Sequence, residues 1–317
     1  MPMHHVVSAR APLGHRIFYR TFGCPPAEAK HRILFTMGLG GYTYHWEPQV
    51  NFFQKQPGYC VCVYDNRGIG FSDPVPGRWT TRDMARDALS LLNHLGWTEC
   101  VHIVGLSMGG MVTQELALLD LKRFASITLI STIAGGLASL GYFARSLPSG
   151  VRLMATGILS PDPNTQLKAG LSVLFPDEFL EQTWENPDSG KEETNFVRFR
   201  RLLVKRGRQA REDGMPPQVL RTTFKQVGAV CTHRVPKASL VRMQRHFGPA
   251  ALVVTGDMDI LVHHGNSHVL RDGLGAELLM LEGSGHGAYE QHADEVNAAI
   301  QANLLRGEAQ YRTKARL

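Results

Sequence analysis

The sequence predicts an α/β protein: a mostly parallel β-sheet with helices on its faces and a helical insertion in the second half of the chain. Three observations support this fold class. Short β-type runs alternate with helix-like runs from residue 15 to residue 130, strand signals are absent from residue 135 to residue 247, and they resume near residue 250. Alternating strands and helices are typical of βαβ units, which build parallel sheets.

The predicted strands are short runs rich in β-branched and aromatic residues. In chain order they read HRIFYRTF, RILFT, YCVCVYD, CVHIVG, FASITLIS, AALVVTGD and AELLMLEG. Between the third and fourth runs, Met84, Ala88, Leu91 and Leu95 recur at helical spacing, and this helix ends at Gly96. A second amphipathic helix, ADEVNAAIQANLL, follows the last strand.

The chain divides into a core that is interrupted by one insertion. Residues 1–134 form the first part of the core, and 248–305 form the second. Between them, residues 135–247 are helix-like and broken by prolines, so this segment is predicted to be a helical cap. Those prolines are Pro148, Pro161, Pro163, Pro176, Pro187, Pro216 and Pro217. Residues 306–317 read as a polar C-terminal tail with nothing to bury.

Composition excludes several classes of protein. The chain has 317 residues, of which 43% are hydrophobic, enough for a large core. A net charge of +6 from 34 basic and 28 acidic residues is too small an excess to indicate nucleic-acid binding. Five scattered cysteines without C-x-x-C spacing indicate neither a disulfide framework nor a zinc site. With no signal peptide or membrane span in the sequence, we expect a soluble protein of the cytoplasm or another reducing compartment.

The segment VHIVGLSMGG places Ser107 on a sharp corner between a strand and a helix. Gly105, Gly109 and Gly110 permit a tight, strained backbone there, which lifts the serine hydroxyl above the end of the strand. The corner also lies at a helix N-terminus, where free N–H groups favour a developing negative charge. The alternative is an ordinary strand-to-helix turn in which Ser107 only caps the helix.

Candidate partners for a nucleophilic serine follow two later strands. A serine nucleophile needs a base to take its proton and an acid to orient that base. LVVTGDMDILV places Asp257 and Asp259 just after one strand, and LMLEGSGHGAYE places His286 in a glycine-rich loop after the next. The order serine, acid, histidine, each after a strand, favours a catalytic triad over a capping serine.

On four blocks, FTMGLGGYTYHW, VYDNRGIGFSDP, VGLSMGGMVTQELA and GSGH, the sequence resembles the α/β-hydrolase superfamily. Within it, the segment GLSMGGMVTQELA is similar to small-ester hydrolases of the methylesterase and cofactor-free haloperoxidase kind. The resemblance implies that the acid is Asp259, at the last position of a G-x-x-D pattern. It also implies an oxyanion hole made by the backbone N–H groups of Leu39 and Met108. This chain has Met37 where relatives usually have histidine, and Gly38 or Gly40 could take the place of Leu39.

Other motifs are interpreted as structural. DNRGIGFSD lacks the spacing of a phosphate loop, so Arg67 and Asp73 are expected to stabilise a turn. The pairs His4-His5 and His263-His264 have no third ligand at a sensible spacing, so no metal is predicted. Cys60 and Cys62 are expected in the core. VRFRRLLVKRGRQAR carries seven basic residues, which could attract an acidic partner, although its apolar spacing favours a packed helix with a solvated basic face.

The sequence therefore predicts a cofactor-independent serine hydrolase acting on a small or medium acyl ester, with its substrate contacts in the cap between Gly135 and Phe247. Thioesterase, lactonase, amidase and carbon–carbon bond hydrolase activities use the same triad and stay open. A ligand receptor built on a hydrolase fold is the alternative outside enzymes. Action as a peripheral lipase at a membrane surface is not favoured, and the sequence leaves the oligomeric state open.

Overall fold

A computed structural model of the chain describes residues 2–8, 11–136, 160–187 and 189–314, together with residues 139, 141, 142, 145 and 148. Ten strands are present in this part of the chain. They are β1 (Met3–Ser8), β2 (Ala11–Gly23), β3 (His31–Thr36), β4 (Tyr59–Tyr64), β5 (Val101–Leu106), β6 (Phe124–Ile130), β7 (Thr183–Asn186), β8 (Lys191–Thr194), β9 (Ala251–Gly256) and β10 (Glu277–Leu281).

Eight of these strands form one central sheet with the order β1-β2-β4-β3-β5-β6-β9-β10. The β1–β2 and β2–β4 pairs are antiparallel, and the five remaining pairs are parallel. The predicted mostly parallel sheet is thus confirmed, with β1 as an additional edge strand. Because β5, β9 and β10 are parallel, the residues that follow them lie at the same edge of the sheet.

Helices cover both faces of the sheet and also form the cap between β6 and β9. They are α1 (Glu47–Phe53), α2 (Thr81–His94), α3 (Met108–Leu119), α4 (Pro163–Leu174), α5 (Asp177–Glu181), α6 (Asn195–Glu212), α7 (Leu220–Cys231), α8 (Lys237–Phe247), α9 (Gly265–Leu274), α10 (Ala288–Gln291) and α11 (Ala293–Lys314). One apolar cluster joins a sheet face to α2, α3, α8 and α9, and a second joins the other face to α1, α10 and α11. Cys60 and Cys62 are fully buried in the first cluster, as expected.

The cap lies between β6 and β9 and contains helices α4 to α7. It has its own apolar cluster around Phe175 and Phe199, and an antiparallel hairpin of β7 and β8 that the sequence did not predict. An isolated bridge between Gly135 and Arg234 closes its base. Helix α8, in the last part of the predicted cap, packs in the core cluster through Leu240 and its neighbours.

The predicted polar tail from residue 306 is corrected, because α11 continues to Lys314. A Cβ on Gly307 would lie 2.6 Å from the backbone oxygen of Ala125, so this turn of the helix packs directly on β6. Glu308 is only 5% exposed and is hydrogen-bonded to histidines of β3 and β5. Polar residues near the end of the chain therefore have buried partners, and residues 315–317 lie outside the described part.

Among the described residues, no helix combines the length and apolar character needed to cross a membrane. The longest helix, α11, has 22 residues. It carries charged side chains in both its first and its last turn, namely Asp294, Glu295, Arg312 and Lys314.

Candidate active site

Ser107 forms the whole turn between β5 and α3. Its backbone has φ 55° and ψ −123°, a left-handed value that costs energy for a residue with a side chain. The backbone N–H donates to the carbonyl of Ile130 at 2.8 Å, and the carbonyl accepts from Thr132 Oγ1 at 2.6 Å. The side chain makes no capping hydrogen bond with α3, so the interpretation as a simple helix cap does not fit the geometry.

Glycines allow this corner to approach β3. A Cβ on Gly109 would lie 2.0 Å from the carbonyl oxygen of Thr36, far inside van der Waals contact. A Cβ on Gly105 would lie 2.5 Å from the carbonyl oxygen of Gly109. Only glycine fits at either position, because real Cβ atoms do not come so close to backbone oxygens. The start of α3 is thereby held against the end of β3, where the next loop begins.

Asp259 and His286 are hydrogen-bonded to each other. The distance between Asp259 Oδ2 and His286 Nδ1 is 2.8 Å, and both residues are about 95% buried, with 4% and 5% of their surface exposed. The other oxygen, Oδ1, accepts the backbone N–H groups of Leu261 at 2.9 Å and Val262 at 2.8 Å. With Asp259 as the acceptor in this pair, Nδ1 is the donor and Nε2 is the ring nitrogen that faces away from the carboxylate.

The second candidate acid, Asp257, has a different environment. Its carboxylate accepts the backbone N–H of Ser284 at 3.2 Å, and its carbonyl lies 2.9 Å from His264 Nδ1. The contact with Ser284 joins the loop after β9 to the loop that contains His286, and the contact with His264 lies within the loop after β9. Asp257 thus ties the two loops together, and of the two carboxylates Asp259 is the one that meets the imidazole.

The loop that carries His286 crosses the end of β9. A Cβ on Gly256 would lie 2.1 Å from the carbonyl oxygen of Ser284, so the two segments are in direct contact. Crossing β9 brings the loop from the edge strand β10 toward the middle of the sheet, where β5 ends. The cap covers it from above, since the N–H of Gly287 donates to the carbonyl of Leu174 at 2.7 Å.

The loop after β3 lies directly beside Ser107. A Cβ on Gly38 would lie 3.1 Å from Ser107 Cβ and 3.7 Å from its Oγ. Asn66 Nδ2 donates to the carbonyl of Met37 at 3.0 Å, and Gly40 N–H donates to Gln226 Oε1 at 2.8 Å. Because the Gly40 N–H is already bonded, it is a poor candidate for an oxyanion donor.

Met108, the other predicted oxyanion donor, is the first residue of α3 and is fully buried. The backbone N–H groups in the first turn of a helix have no partner within that helix. Its N–H is therefore at the positive end of α3, one residue from the serine hydroxyl. The role of this N–H as an oxyanion donor stays a prediction.

The segment after β4 supports the site through buried charges. Arg67, 1% exposed, donates from Nε and Nη2 to the two oxygens of Asp87, both at 2.7 Å. Arg16 and Asp73 form a similar but more exposed pair at 2.9 and 3.0 Å. Both Arg67 and Asp73 thus stabilise the fold around this turn.

Asp65 was not singled out in the sequence, although it holds two loops near the site. It accepts the N–H groups of Thr43 at 2.7 Å and Phe71 at 2.9 Å. Burial raises the pKa of this carboxyl to about 7, even though these hydrogen bonds favour the ionised form. Its position as the first residue of the DNRGIG turn, directly after β4, was the sequence signal that could have indicated this role.

The residues that could best hold a metal lie away from Ser107, at the opposite end of β5. Donor atoms of Cys100, His102 and Glu308 lie within 4.8 Å of one another. Glu308 Oε1 already lies 2.6 Å from His31 Nδ1 and 3.3 Å from His102 Nε2, and His102 Nδ1 lies 2.8 Å from Ser126 Oγ. These polar atoms therefore satisfy one another as a buried hydrogen-bond network.

The basic segment of the cap forms α6. Phe199 is buried in the cap cluster, whereas most of the basic side chains are exposed, as the packed-helix interpretation expects. Arg206 differs because it is only 5% exposed and pairs with Glu290 at 2.6 Å and Glu47 at 3.0 Å. It is a buried ionic contact between the cap and the core, next to α10, which begins two residues after His286.

Comparisons with known proteins agree with this architecture. The chain is 27% identical over 274 residues to a protein named carbamate hydrolase RutD from Pseudomonas savastanoi pv. phaseolicola, covering 85% of this chain and 92% of that protein. It is 31% identical over 134 residues to 3-oxoadipate enol-lactonase 2 from Acinetobacter baylyi, covering 42% of this chain and 48% of that protein. The chain spans less than half the length of several curated relatives that it matches.

Solved structures show the same fold at low identity. The enol-lactonase from Burkholderia xenovorans LB400 superposes with a TM-score of 0.68 at 20% identity, over 92% of this chain and 97% of that chain. A hydrolase from Pseudomonas aeruginosa PA01 superposes with a TM-score of 0.67 at 24% identity, over 95% and 98% of the two chains. The family model described as "alpha/beta hydrolase fold" matches residues 32–293. The chain therefore belongs to the α/β-hydrolase fold family.

Proposed function

We propose that this protein is a serine hydrolase that cleaves a carboxylic ester with the triad Ser107, Asp259 and His286. The observation that carries the proposal is the strained corner at Ser107, whose side chain does not cap α3 although it stands at the helix N-terminus. Backbone strain at a residue whose side chain makes no capping hydrogen bond is typical of a functional site. The buried Asp259–His286 pair supplies the base that such a serine needs.

In the proposed mechanism, His286 Nε2 takes the proton of the Ser107 hydroxyl as Oγ attacks the ester carbonyl carbon. Asp259 holds Nδ1–H and stabilises the imidazolium that forms. The imidazolium then gives its proton to the departing alcohol as the carbon–oxygen bond breaks, which leaves an acyl-serine. Water repeats the sequence in place of the serine and releases the carboxylic acid. The proposal requires neither a metal nor a cofactor.

The tetrahedral intermediate carries a negative oxygen that needs donors in place beforehand. The proposed donors are the N–H groups of Leu39 and Met108, and Gly38 against the serine supports that placement. Removal of one such donor typically costs about 3 kcal/mol of transition-state stabilisation. The positive end of α3 adds a favourable field at the same oxygen.

A lactone is the second candidate substrate, because two kinds of comparison lead to enol-lactonases. A lactone is a cyclic ester, so the same attack opens the ring and the acyl-serine retains the leaving alcohol. A carbamate is a further variant, suggested by the RutD relatives. Thioester and carbon–carbon bond cleavage would use the same triad. Substrate contacts are expected from the cap, within Gly135 to Phe247.

The test compares wild-type protein with Ser107→Ala. Both are exposed to a fluorophosphonate probe and then assayed with p-nitrophenyl esters from acetate to palmitate, a series of lactones and a carbamate. We expect labelling and turnover from the wild type and neither from the variant, with the substrate series giving the acyl preference. If folded wild-type protein neither labels nor turns over, Ser107 is not an activated nucleophile. The chain would then be better explained as a ligand receptor on a hydrolase fold.

A further inference from the structure

One side chain of the cap is hydrogen-bonded to the loop proposed to hold the oxyanion. Gln226 lies on α7, is fully buried, and accepts the N–H of Gly40 through Oε1 at 2.8 Å. In the core, Asn66 donates to the carbonyl of Met37, and within the loop the N–H of Gly41 donates to the carbonyl of Gly38. The cap thus adds a hydrogen bond of its own to this loop.

The orientation of the Gln226 carboxamide is determined by this contact. Within the described residues its Nε2 is buried and has no hydrogen-bond partner, which is an unfavourable environment for a donor. The carboxamide keeps this orientation because its oxygen, Oε1, is the atom that can accept the N–H of Gly40. Because the nitrogen of Gly40 belongs to the Leu39–Gly40 peptide, the contact fixes the plane of that peptide.

Helix α7 is firmly held, so it can present Gln226 in a constant position. Lys225 Nζ, one residue earlier, donates to the carbonyl of Val75 at 2.6 Å and lies 4.9 Å from the ring centre of Trp79. Just beyond the end of the helix, His233 Nδ1 lies 2.9 Å from Thr81 Oγ1. These anchors join both flanks of Gln226 to the core.

We propose that Gln226 is a positioning residue of the oxyanion site: by fixing the Leu39–Gly40 peptide it holds the neighbouring Leu39 N–H toward the oxygen that becomes negative on Ser107. The cap then takes part in the chemical step as well as in the choice of substrate. This inference rests on the proposed function, because it assigns a role within the same reaction. Gln226 itself does not touch the substrate.

The test uses two replacements at one position. Gln226→Met keeps the volume and removes the oxygen acceptor, and we expect kcat to fall 10- to 100-fold with KM changed less than about threefold, since the lost interaction acts in the transition state. Benzeneboronic acid, which forms a tetrahedral adduct with a nucleophilic serine, should bind more weakly by a similar factor. Gln226→Glu keeps an acceptor, but its negative form opposes the oxyanion. Its activity relative to wild type should therefore fall as the pH rises.

A matched control is available on the same side of the cap. Gln218 accepts the N–H of Gly70 at 3.1 Å and donates to the carbonyl of Gly70 at 3.4 Å, so it also joins the cap to a core loop. Gln218→Met should leave kcat and boronate affinity within about twofold of wild type. If Gln226→Met matches this control while wild type turns over, the positioning role is wrong and the proposed function stands. If wild type shows no turnover, the proposed function fails first and the positioning role with it.

Discussion

Replacement of Asp259 by asparagine provides the sharpest test of the proposed triad, because the structure determines how the new amide must orient. Oδ1 accepts two backbone N–H groups, from Leu261 and Val262, and an asparagine must keep its oxygen there. Its NH2 group then faces His286 Nδ1. A donor at that position forces Nδ1 to accept, which moves the imidazole proton to Nε2. The base is then in the wrong tautomer to take the proton of Ser107.

We expect Asp259→Asn to lower kcat about 10⁴-fold, or about 5.5 kcal/mol, with little change in folding, as a triad with the wrong tautomer does. The assay is hydrolysis of the best p-nitrophenyl ester, with thermal unfolding measured in parallel. Asp257→Asn is the control, because that carboxylate accepts only a 3.2 Å hydrogen bond from Ser284. We expect this variant to lower kcat by less than about tenfold. Loss of activity in the Asp257 variant with retention in the Asp259 variant would refute the assignment of the acid.

Two further predictions concern stability and are measured by urea unfolding. Arg67→Ala leaves Asp87 buried without its bidentate partner and should lower the free energy of unfolding by about 3–5 kcal/mol. Arg16→Ala, at the exposed pair with Asp73, should change this free energy little. Equal losses in the two variants would contradict the role of burial. Burial lowers the pKa of His233 from 6.5 to about 4. As the pH falls, the unfolded chain therefore binds a proton at His233 before the folded chain does, and stability is lost through this range. Between pH 7.5 and 5.0 His233 should account for a loss of about 2 kcal/mol, which should be absent from His233→Gln.

The parts of the site that could be predicted from the sequence are those built by local rules. A strand followed at once by a helix, with glycines around Ser107, determines the corner without reference to the rest of the chain. Asp259 and His286 each follow a strand within a few residues, and parallel strands bring such segments to one edge of the sheet. Runs of β-branched and aromatic residues likewise predicted the core strands, because β4, β5, β6 and β9 are buried along their whole length.

The parts that could not be predicted depend on partners that are distant in the sequence. The sequence predicts that Glu308 lies in a polar tail, because its buried partner, His31, is 277 residues away. Strands β7 and β8, TWEN and KEET, are short and mostly polar, so they have no apolar alternation to detect. Gln226 lies in a helix whose pattern gives no sign that one amide reaches a loop 186 residues earlier.

Under the proposed function, the contacts of the cap link substrate selection to catalysis. The carbonyl of Leu174 accepts the N–H of Gly287, beside His286, and Gln226 accepts that of Gly40, beside Leu39. The cap therefore contacts both the loop of the proposed base and the loop of the proposed oxyanion hole. Any displacement of the cap that admits a larger acyl group must strain at least one of these two hydrogen bonds. Changes of specificity in the cap are for this reason expected to alter kcat together with KM, even where the triad itself is untouched.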